Sequence, residues 1–283
     1  MTQAPLVMGV LNVTPDSFSD GGQFIEVTDA VAQAMLMVSQ GANIIDIGGE
    51  STRPGAERVS LEVEQGRVIP VIQALKSNSN FTAKISIDTM NAATARVAVE
   101  AGADIINDVS GGLADPSMFN VVAETGATYV LSHWRGFSKD MDSLNHYEDL
   151  ARDVAAELAE QIAIAVSHGV KREQIIIDPG LGFAKDMGQN WQLVARLDEL
   201  EKLGRPILVG ASRKRFVAGV LEPDEPSTVS NERRDVATAV LTALLMQRKL
   251  WGVRVHNVQA TVDAIAMVQA LAKANEDSAK RKA

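Results

Sequence analysis

The sequence predicts a (β/α)8 barrel, the TIM-barrel fold, with long loops at the C-terminal face of the strands. Short apolar, β-branched runs recur along the 283 residues, and a helix-length stretch separates each run from the next. Such runs are typical of parallel strands that are buried on both faces. Polar or charged residues follow every run, and in this fold the residues just past the strands build the active site. The sequence therefore predicts both the fold and the region of its site.

Eight predicted strands lead to polar residues whose type changes from strand to strand. In chain order they are Leu6–Leu11 before Asn12, Ile44–Ile47 before Gly48 to Glu50, Ile85–Ile87 before Asp88, Ile105–Ile106 before Asn107 and Asp108, Tyr129–Leu131 before His133, Ile175–Ile177 before Asp178, Ile207–Val209 before Ser212 to Lys214, and Trp251–Val255 before His256.

Between the strands, apolar residues recur at helical spacing and predict amphipathic helices. Three loops after strands are long and polar, which in a compact barrel favours a functional role: Val13–Phe24, Ser51–Val59 and Arg135–Asn145. We expect one domain over residues 1–272 and a charged tail without fixed structure over residues 273–283. The helix faces are Val27, Ala30, Val31, Ala34, Met35 and Val38; Leu150, Val154, Leu158, Ile162 and Val166; Ala239, Val240, Ala243, Leu244 and Leu245; and Val258, Val262, Ile265 and Val268.

The composition excludes several classes of function. The chain has a net charge of −9 and a pI near 5.0, whereas binding nucleic acid requires a basic surface. It contains no cysteine, so disulfides, thiolate catalysis and cysteine-ligated zinc are excluded. No apolar run approaches the length of about 18 residues that spans a membrane, and no signal peptide is predicted. We therefore expect a cytoplasmic protein without nucleic-acid or membrane partners.

Cationic side chains collect around the ends of the seventh and eighth predicted strands. Lys214 follows the seventh strand, while Arg254 and His256 lie within and after the eighth. Barrels of this kind often bind phosphate there, beside a short extra helix that the segment Arg213–Leu221 could supply. In an acidic chain, this group predicts an anion site. The alternative is that Lys214 and Arg254 are surface charges and that His256 is a hydrogen-bonded core residue.

Three further polar residues end different strands, namely Asp88, Asn107 and Asp178. Carboxylates and an amide that point inward can accept and donate hydrogen bonds around a planar heterocycle, and a carboxylate can pair with an amino-amidine edge through two charge-assisted bonds. The alternative is that each one caps the helix that follows, since Asp and Asn are common N-caps. Their joint occurrence at strand ends favours a binding role.

Oxygen-rich residues follow the first predicted strand, from Asn12 to Gly22. Mg²⁺ takes few protein ligands and completes its shell with phosphate and water oxygens, so the Asn12 carbonyl beside a diphosphate would suffice. The alternative is a simple turn sequence, because Pro-Asp and Asp-Gly-Gly favour turns. The four histidines lack a zinc-binding spacing.

Seven motifs, in order along the chain, resemble those of the dihydropteroate synthase family, and His133-Trp-Arg135 is similar to its actinobacterial members. The resemblance runs from residue 6 to residue 272, and seven ordered motifs are far more specific than one. The motifs are Met8–Gly22, Asp46–Gly55, Ser86–Thr89, Asn107–Gly112, Asp178–Lys185, Gly210–Lys214 and Arg254–His256.

Members of this family join 6-hydroxymethyl-7,8-dihydropterin diphosphate to p-aminobenzoate and release diphosphate. The resemblance implies a Mg²⁺ cofactor, a homodimer and inhibition by sulfonamides, which mimic p-aminobenzoate. Lys214, Asp88 and Asp178 become the candidate catalytic residues. By the same resemblance, Asn12 binds Mg²⁺; Asp88, Asn107, Asp178 and Lys214 bind the pterin; Arg254, Val255 and His256 lie on the diphosphate side; and Thr52, Arg53, Pro54, Phe183 and Ser212 shape the p-aminobenzoate side.

Two other functions fit parts of this pattern. A methyltetrahydrofolate methyltransferase barrel would share Asp88, Asn107 and Asp178, but it has no need of the Asn12 loop or of the cationic group around Lys214. A non-catalytic paralogue would keep the fold and lose some diphosphate or loop residues, and none of them is lost here. The sequence therefore favours the synthase.

Overall fold

Eight parallel strands alternate with helices in the part of the chain that the structure, a computed structural model, describes: residues 4–14, 27–50, 58–137 and 141–280. The predicted barrel is therefore confirmed, and every predicted run forms a strand. The strands are β1 Leu6–Asn12, β2 Ile44–Gly48, β3 Lys84–Asp88, β4 Ile105–Asp108, β5 Thr128–Ser132, β6 Ile175–Asp178, β7 Leu208–Val209 and β8 Gly252–Val255.

The sheet closes on itself, so each strand has a neighbour on both sides. β1 pairs with β2 on one side and with β8 on the other, and β7 pairs with β8. Between β6 and β7 a bridge joins Ile177 to Ile207, and the Ile177 N–H donates to Pro206 O over 2.9 Å. Closure satisfies the backbone groups that an edge strand would leave unpaired.

Helices pack around this barrel, and their buried side chains are mainly Ala, Val, Leu and Ile. The predicted extra helix after β7 is confirmed as α8, which begins directly after Lys214. The helices of the described residues are α1 Val27–Ser39, α2 Leu61–Ser77, α3 Ala92–Ala101, α4 Met118–Thr125, α5 Leu150–Ser167, α6 Met187–Ala195, α7 Asp198–Glu201, α8 Arg215–Leu221, α9 Asn231–Leu245 and α10 Val258–Lys280.

The barrel interior has an apolar floor and a polar layer above it. Side chains alternate along each strand, so the residue two positions after a floor residue faces inward one layer higher. On β2 this places Asp46 above Ile44, and on β4 it places Asn107 above Ile105. The floor is formed by the buried side chains of Met8, Ile44, Ile105, Val130, Ile176 and Leu208.

One predicted helix face is wrong in part, since Ala239 and Leu245 are buried as predicted but two other members of the face are not. In α9, Val240 and Leu244 are 55% and 61% exposed, whereas Leu241 and Leu245 are buried. The helix carries apolar residues on two sides, and spacing alone does not say which side packs on the barrel. The predicted face of α1 is confirmed at Ala30 and Ala34, and that of α5 from Leu150 to Ile162, whereas the terminal members Val27 and Val166 are exposed.

The C-terminal segment also differs from its prediction. Residues 273–280 were expected to lack fixed structure, yet they continue α10 as far as Lys280. Their side chains are exposed, and five of these eight residues are Ala, Lys or Glu, which favour a helix without needing a packed face. Residues 281–283 lie outside the described residues. Among the described helices, none has the length and apolarity needed to cross a membrane.

Candidate active site

The polar strand ends meet at one rim of the barrel. Parallel register places Asp88 of β3 beside Asn107 of β4, and Ser132 of β5 beside Asp178 of β6. Asp88, Asn107 and Asp178 are all buried. A buried polar group without a hydrogen-bond partner is unfavourable. The groups that already have partners in the protein, and those that do not, therefore determine what the site can bind.

Arg254 of β8 is held between two carboxylates inside the barrel. Its Nε donates to Asp46 Oδ2 over 2.6 Å, and its Nη2 donates to Asp88 Oδ2 over 2.6 Å. Asn107 Nδ2 donates to the same Asp46 Oδ2 over 3.0 Å. When both carboxyl groups are ionised, the single, partly buried guanidinium that they share leaves one negative charge uncompensated within the group. This network lies under the site and favours a ligand that brings hydrogen-bond donors or positive charge.

Burial also shifts the acidity of the two candidate catalytic carboxyl groups. The pKa of Asp88 is raised from its ordinary value to about 7, because burial outweighs the opposing effect of Arg254. The pKa of Asp178 is raised by burial as well, against the opposing effects of Lys214 and of the Gly180 N–H. Asp178 Oδ1 accepts from that N–H over 2.7 Å, so one of its oxygens already holds the following loop.

Lys214 reaches across from the end of β7 to the loop that follows β6. Its ammonium donates to Leu181 O and lies 4.9 Å from the centre of the Phe183 ring. Burial lowers the pKa of Lys214 to about 8, although Asp178 opposes this change. The structure thus brings together Lys214, Phe183 and Asp178, three of the predicted site residues.

Ser212 and His256 form a second pair at the ends of β7 and β8. Ser212 Oγ lies 3.0 Å from His256 Nδ1, and the His256 N–H donates to the same Oγ over 3.2 Å. The predicted role of Ser212 beside p-aminobenzoate therefore stays a prediction, since its contacts lie with a residue expected on the diphosphate side. Val255 is buried between Arg254 and His256 and faces the surrounding helices.

Asn12 is the last residue of β1 and pairs with Gly48 of β2, which has no side chain. A Cβ on Gly48 would lie 3.7 Å from Asn12 Oδ1 and 3.6 Å from Asp88 Oδ2, so the glycine leaves a space that both oxygens flank. The described residues contain no group of three or more His, Asp or Glu side chains suited to a metal ion. This donor set fits Mg²⁺ bound by one or two protein oxygens and completed by ligand and water oxygens.

Three predicted residues, Thr52, Arg53 and Pro54, lie outside the described residues, as does most of the loop from Val13 to Phe24. The residues on either side of the range 51–57 are joined by a hydrogen bond, because Arg58 Nε donates to Glu50 Oε1 over 3.0 Å.

The sequence interpretation missed two buried residues, Asp46 and Lys185, that form hydrogen bonds with predicted site residues. Asp46 received no role, although an ionisable residue inside the apolar run Ile44–Ile47 is a signal of a buried partner. Lys185 was likewise given none, and it donates to Gly180 O over 3.1 Å and to Phe183 O over 3.0 Å. The available signal was its position at the end of the Asp178–Lys185 motif, two residues after the predicted site residue Phe183.

Comparison with known proteins identifies the class of this barrel. A family model described as "Pterin binding enzyme" matches residues 8–256. The chain is therefore a pterin-binding enzyme, and its barrel carries buried Asp and Asn side chains at one rim with cationic side chains across from them.

Individual relatives narrow the family. A dihydropteroate synthase of Mycobacterium leprae is 47% identical over 272 residues, which are 95% of each chain. The structure of Xanthomonas albilineans dihydropteroate synthase with 4-aminobenzoic acid has a TM-score of 0.85 and 42% identity, over 95% of this chain and 94% of that one. The Yersinia pestis enzyme in complex with a sulfonamide drug has a TM-score of 0.84 and 39% identity over 95% of both chains. The chain belongs to the dihydropteroate synthases, which are transferases of folate biosynthesis.

Proposed function

We propose that this chain joins 6-hydroxymethyl-7,8-dihydropterin diphosphate to p-aminobenzoate and releases diphosphate, with the pterin in the barrel mouth above Asp46. The observation that carries the proposal is the convergence of Asp88, Asn107, Asp178 and Lys214 at one rim. Carboxylate and amide oxygens match the N–H groups of the pterin, and Lys214 matches an acceptor on the ring.

The diphosphate lies on the side of β7 and β8, near Lys214, Arg254 and His256. Arg254 commits Nε and Nη2 to Asp46 and Asp88, and no described residue accepts from its Nη1. A guanidinium has five N–H donors, so the Nη1 hydrogens remain for a phosphate oxygen. Bound in this way, Arg254 supplies a fixed positive charge rather than a mobile one.

The site suits departure of a leaving group rather than attack by a protein nucleophile. The bond between the pterin methylene carbon and the diphosphate oxygen breaks, and its electron pair leaves with the diphosphate. The positive charge left on the methylene spreads into the pterin ring, where the carboxylates of Asp88 and Asp178 stabilise it. The amino nitrogen of p-aminobenzoate then forms the new carbon–nitrogen bond, and the proton it loses passes to water or to the departing diphosphate.

We propose Mg²⁺ as the cofactor, with Asn12 as its protein ligand. When bound, the ion would neutralise charge on the diphosphate and so make it a better leaving group. The test is the Asn12→Ala variant, assayed across a range of MgCl₂ concentrations. We expect the concentration for half-maximal rate to rise several-fold, and an unchanged value would remove Asn12 from the metal site.

We propose that p-aminobenzoate binds against Phe183 beside Lys214, and that Thr52, Arg53, Pro54 and Ser212 complete its site. The 4-aminobenzoic acid and the sulfonamide drug bound by the two related enzymes support binding of p-aminobenzoate by this chain, and the contact between Lys214 and Phe183 supports the location. Sulfonamides are then expected to compete with p-aminobenzoate and not with the pterin.

We also propose that the chain forms a homodimer through α9 and α10. These helices pack against each other, and both carry exposed apolar rows. Contiguous exposed apolar surface of this kind usually marks an interface. A second copy fits because an isologous contact needs only one self-complementary face. The rows are Val236, Val240 and Leu244 on α9 and Met267 and Leu271 on α10. A cytoplasmic location stays a prediction.

The deciding experiment measures diphosphate release from 6-hydroxymethyl-7,8-dihydropterin diphosphate in the presence of MgCl₂. We expect release to depend on p-aminobenzoate and to match the amount of 7,8-dihydropteroate formed. Release without p-aminobenzoate would indicate a hydrolase, and no release from the folded chain would indicate a non-catalytic relative.

A further inference from the structure

Asp46 lies in the middle of β2, and its side chain is fully buried in the barrel interior. Two residues of the proposed site depend on its Oδ2 atom. Asn107 Nδ2 donates to it over 3.0 Å from β4, and Arg254 Nε donates to it over 2.6 Å from β8. One oxygen atom thus joins two strands that are not neighbours of each other in the barrel.

This contact fixes which way the Asn107 amide faces. Asp46 Oδ2 accepts from Arg254 Nε, so the end of the Asn107 amide that faces this oxygen is the donor, Nδ2. The Oδ1 atom then lies on the other side of the amide, where it can accept from a ligand. Without Asp46, a half-turn of the amide would exchange donor and acceptor with little change in shape.

The same carboxylate also holds the plane of the Arg254 guanidinium. Asp46 accepts from Nε and Asp88 accepts from Nη2, so the group is fixed at two points. Such charge-assisted bonds are short and about twice as strong as neutral ones. Asp46 therefore contributes to the orientation of Asn107 and Arg254 at once, without lying at the ligand surface itself.

We propose that Asp46 is a positioning residue for pterin recognition, acting through Asn107, whose amide oxygen it turns toward the N–H groups of the heterocycle. The proposal rests on the proposed function, because it assumes that a pterin lies above Asn107. The competing explanation is that Asp46 only balances the buried charge of Arg254 and stabilises the barrel.

The test measures binding of bare 6-hydroxymethylpterin by calorimetry, together with the unfolding temperature of each variant. Asp46→Leu removes the acceptor at similar size, and Asp46→Asn keeps an oxygen but loses the charge. We expect Asp46→Leu to weaken pterin binding by about tenfold to a hundredfold, and Asp46→Asn to lie between it and the wild type.

Asp108→Asn is the matched control. Asp108 is also a fully buried carboxylate, it follows Asn107 directly, and it faces the other side of the strand, where it accepts from Tyr129 Oη over 2.8 Å. We expect Asp108→Asn to lower the unfolding temperature. Its pterin affinity should stay within about twofold of the wild type, because the contacts of Asp108 lie on the other side of the strand.

A double-mutant cycle separates the two explanations. If Asp46 acts through Asn107, then Asp46→Leu should weaken binding by about threefold or less once Asn107→Ala is present, because coupled residues are not additive. An undiminished effect in that background, or unchanged binding in Asp46→Leu itself, overturns the proposal. If Asp46→Leu does not fold, Asp46→Asn takes its place in the cycle under the same criterion. Failure of the wild type to bind the bare pterin would instead count against the proposed function.

Discussion

The ammonium nitrogen of Lys185 lies 2.9 Å from His133 Nδ1, and both side chains are buried behind the site. His133 Nε2 lies 2.9 Å from Glu157 Oε2, and the pKa of Glu157 is lowered to about 2 because, against the effect of burial, its hydrogen bonds to His133 and Arg135 favour the carboxylate. A carboxylate only accepts, so the imidazole proton lies on Nε2 and His133 Nδ1 accepts from Lys185. The pKa of His133 is lowered to about 4, chiefly by burial and then by the charge of Lys185. The imidazole is therefore neutral at physiological pH and serves to fix Lys185.

Lys185→Met should raise the KM for p-aminobenzoate by about threefold to tenfold, because it removes hydrogen bonds to the loop that carries Phe183. That loop needs support, since Ala184 has a φ of 47°, which a residue with a Cβ rarely adopts. Steady-state kinetics with each substrate varied in turn provide the test. Lys84→Met, at an exposed lysine that begins β3, is the control. A KM that rises equally for the pterin substrate would contradict this role of Lys185.

His133 should contribute a pH dependence to stability. Its folded pKa of about 4 lies below the ordinary value of 6.5, so the unfolded chain binds the proton first as the pH falls. The free energy of unfolding therefore decreases as the pH falls from about 6.5 toward 4, by about 2 kcal/mol between pH 7 and 5. Urea unfolding at both pH values, compared between the wild type and His133→Gln, measures this contribution. An identical loss of stability in the two proteins would assign the effect to other groups.

The sequence was sufficient to predict which residues meet at the rim. Asp88, Asn107 and Asp178 each follow a buried run, and the ends of parallel strands must lie on one side of a barrel. What it could not supply was the pairing among them. Asp46 and Arg254 are 208 positions apart, and their contact follows from the stagger of the closed sheet, which no local pattern encodes.

The error in α9 has a related cause. Val240 and Leu244 form one row along that helix, and Leu241 and Leu245 form another about 100° around its axis, so two apolar rows compete for one core. Asp235 helps to decide between them, because it is buried and accepts two hydrogen bonds from Arg213. An acidic residue in the core-facing side of a helix obscures the hydrophobic pattern from which that side is recognised.

Val240→Glu should weaken the proposed dimer, because it places a charge in the middle of the apolar row on α9. Burial of an unpaired carboxylate is strongly unfavourable, so we expect the dissociation constant to rise at least about a hundredfold. Sedimentation over a range of protein concentrations measures it. Val166→Glu, at an exposed valine of α5, is the matched control. If both variants sediment as the wild type does, α9 is not part of an interface.

Lys214→Ala and Arg254→Ala should weaken binding of the pterin diphosphate far more than that of p-aminobenzoate. Each removes a charged hydrogen bond worth roughly 1.5–3 kcal/mol, which corresponds to about tenfold to a hundredfold in affinity. Arg254→Ala also leaves Asp46 and Asp88 without their shared cation, so its unfolding temperature should fall more than that of Lys214→Ala. Inhibition constants for inorganic diphosphate test the anion site directly. Equal weakening of both substrates would contradict an anion site at the ends of β7 and β8.

Asp178→Asn should damage pterin recognition even though it preserves the shape of the side chain. Asp178 Oδ1 accepts from the Gly180 N–H, so an asparagine would keep its oxygen there and turn its amino group toward the pterin. Two donors would then face each other where a carboxylate had accepted, at a cost of a few kcal/mol in pterin binding. Calorimetry with bare 6-hydroxymethylpterin measures this loss without any contribution from the diphosphate. Asp186→Asn is the matched control, since Asp186 caps α6 by accepting from the Gln189 N–H over 2.7 Å. If Asp178→Asn binds the pterin as tightly as this control does, Asp178 only holds the loop after β6, and the pterin lies elsewhere.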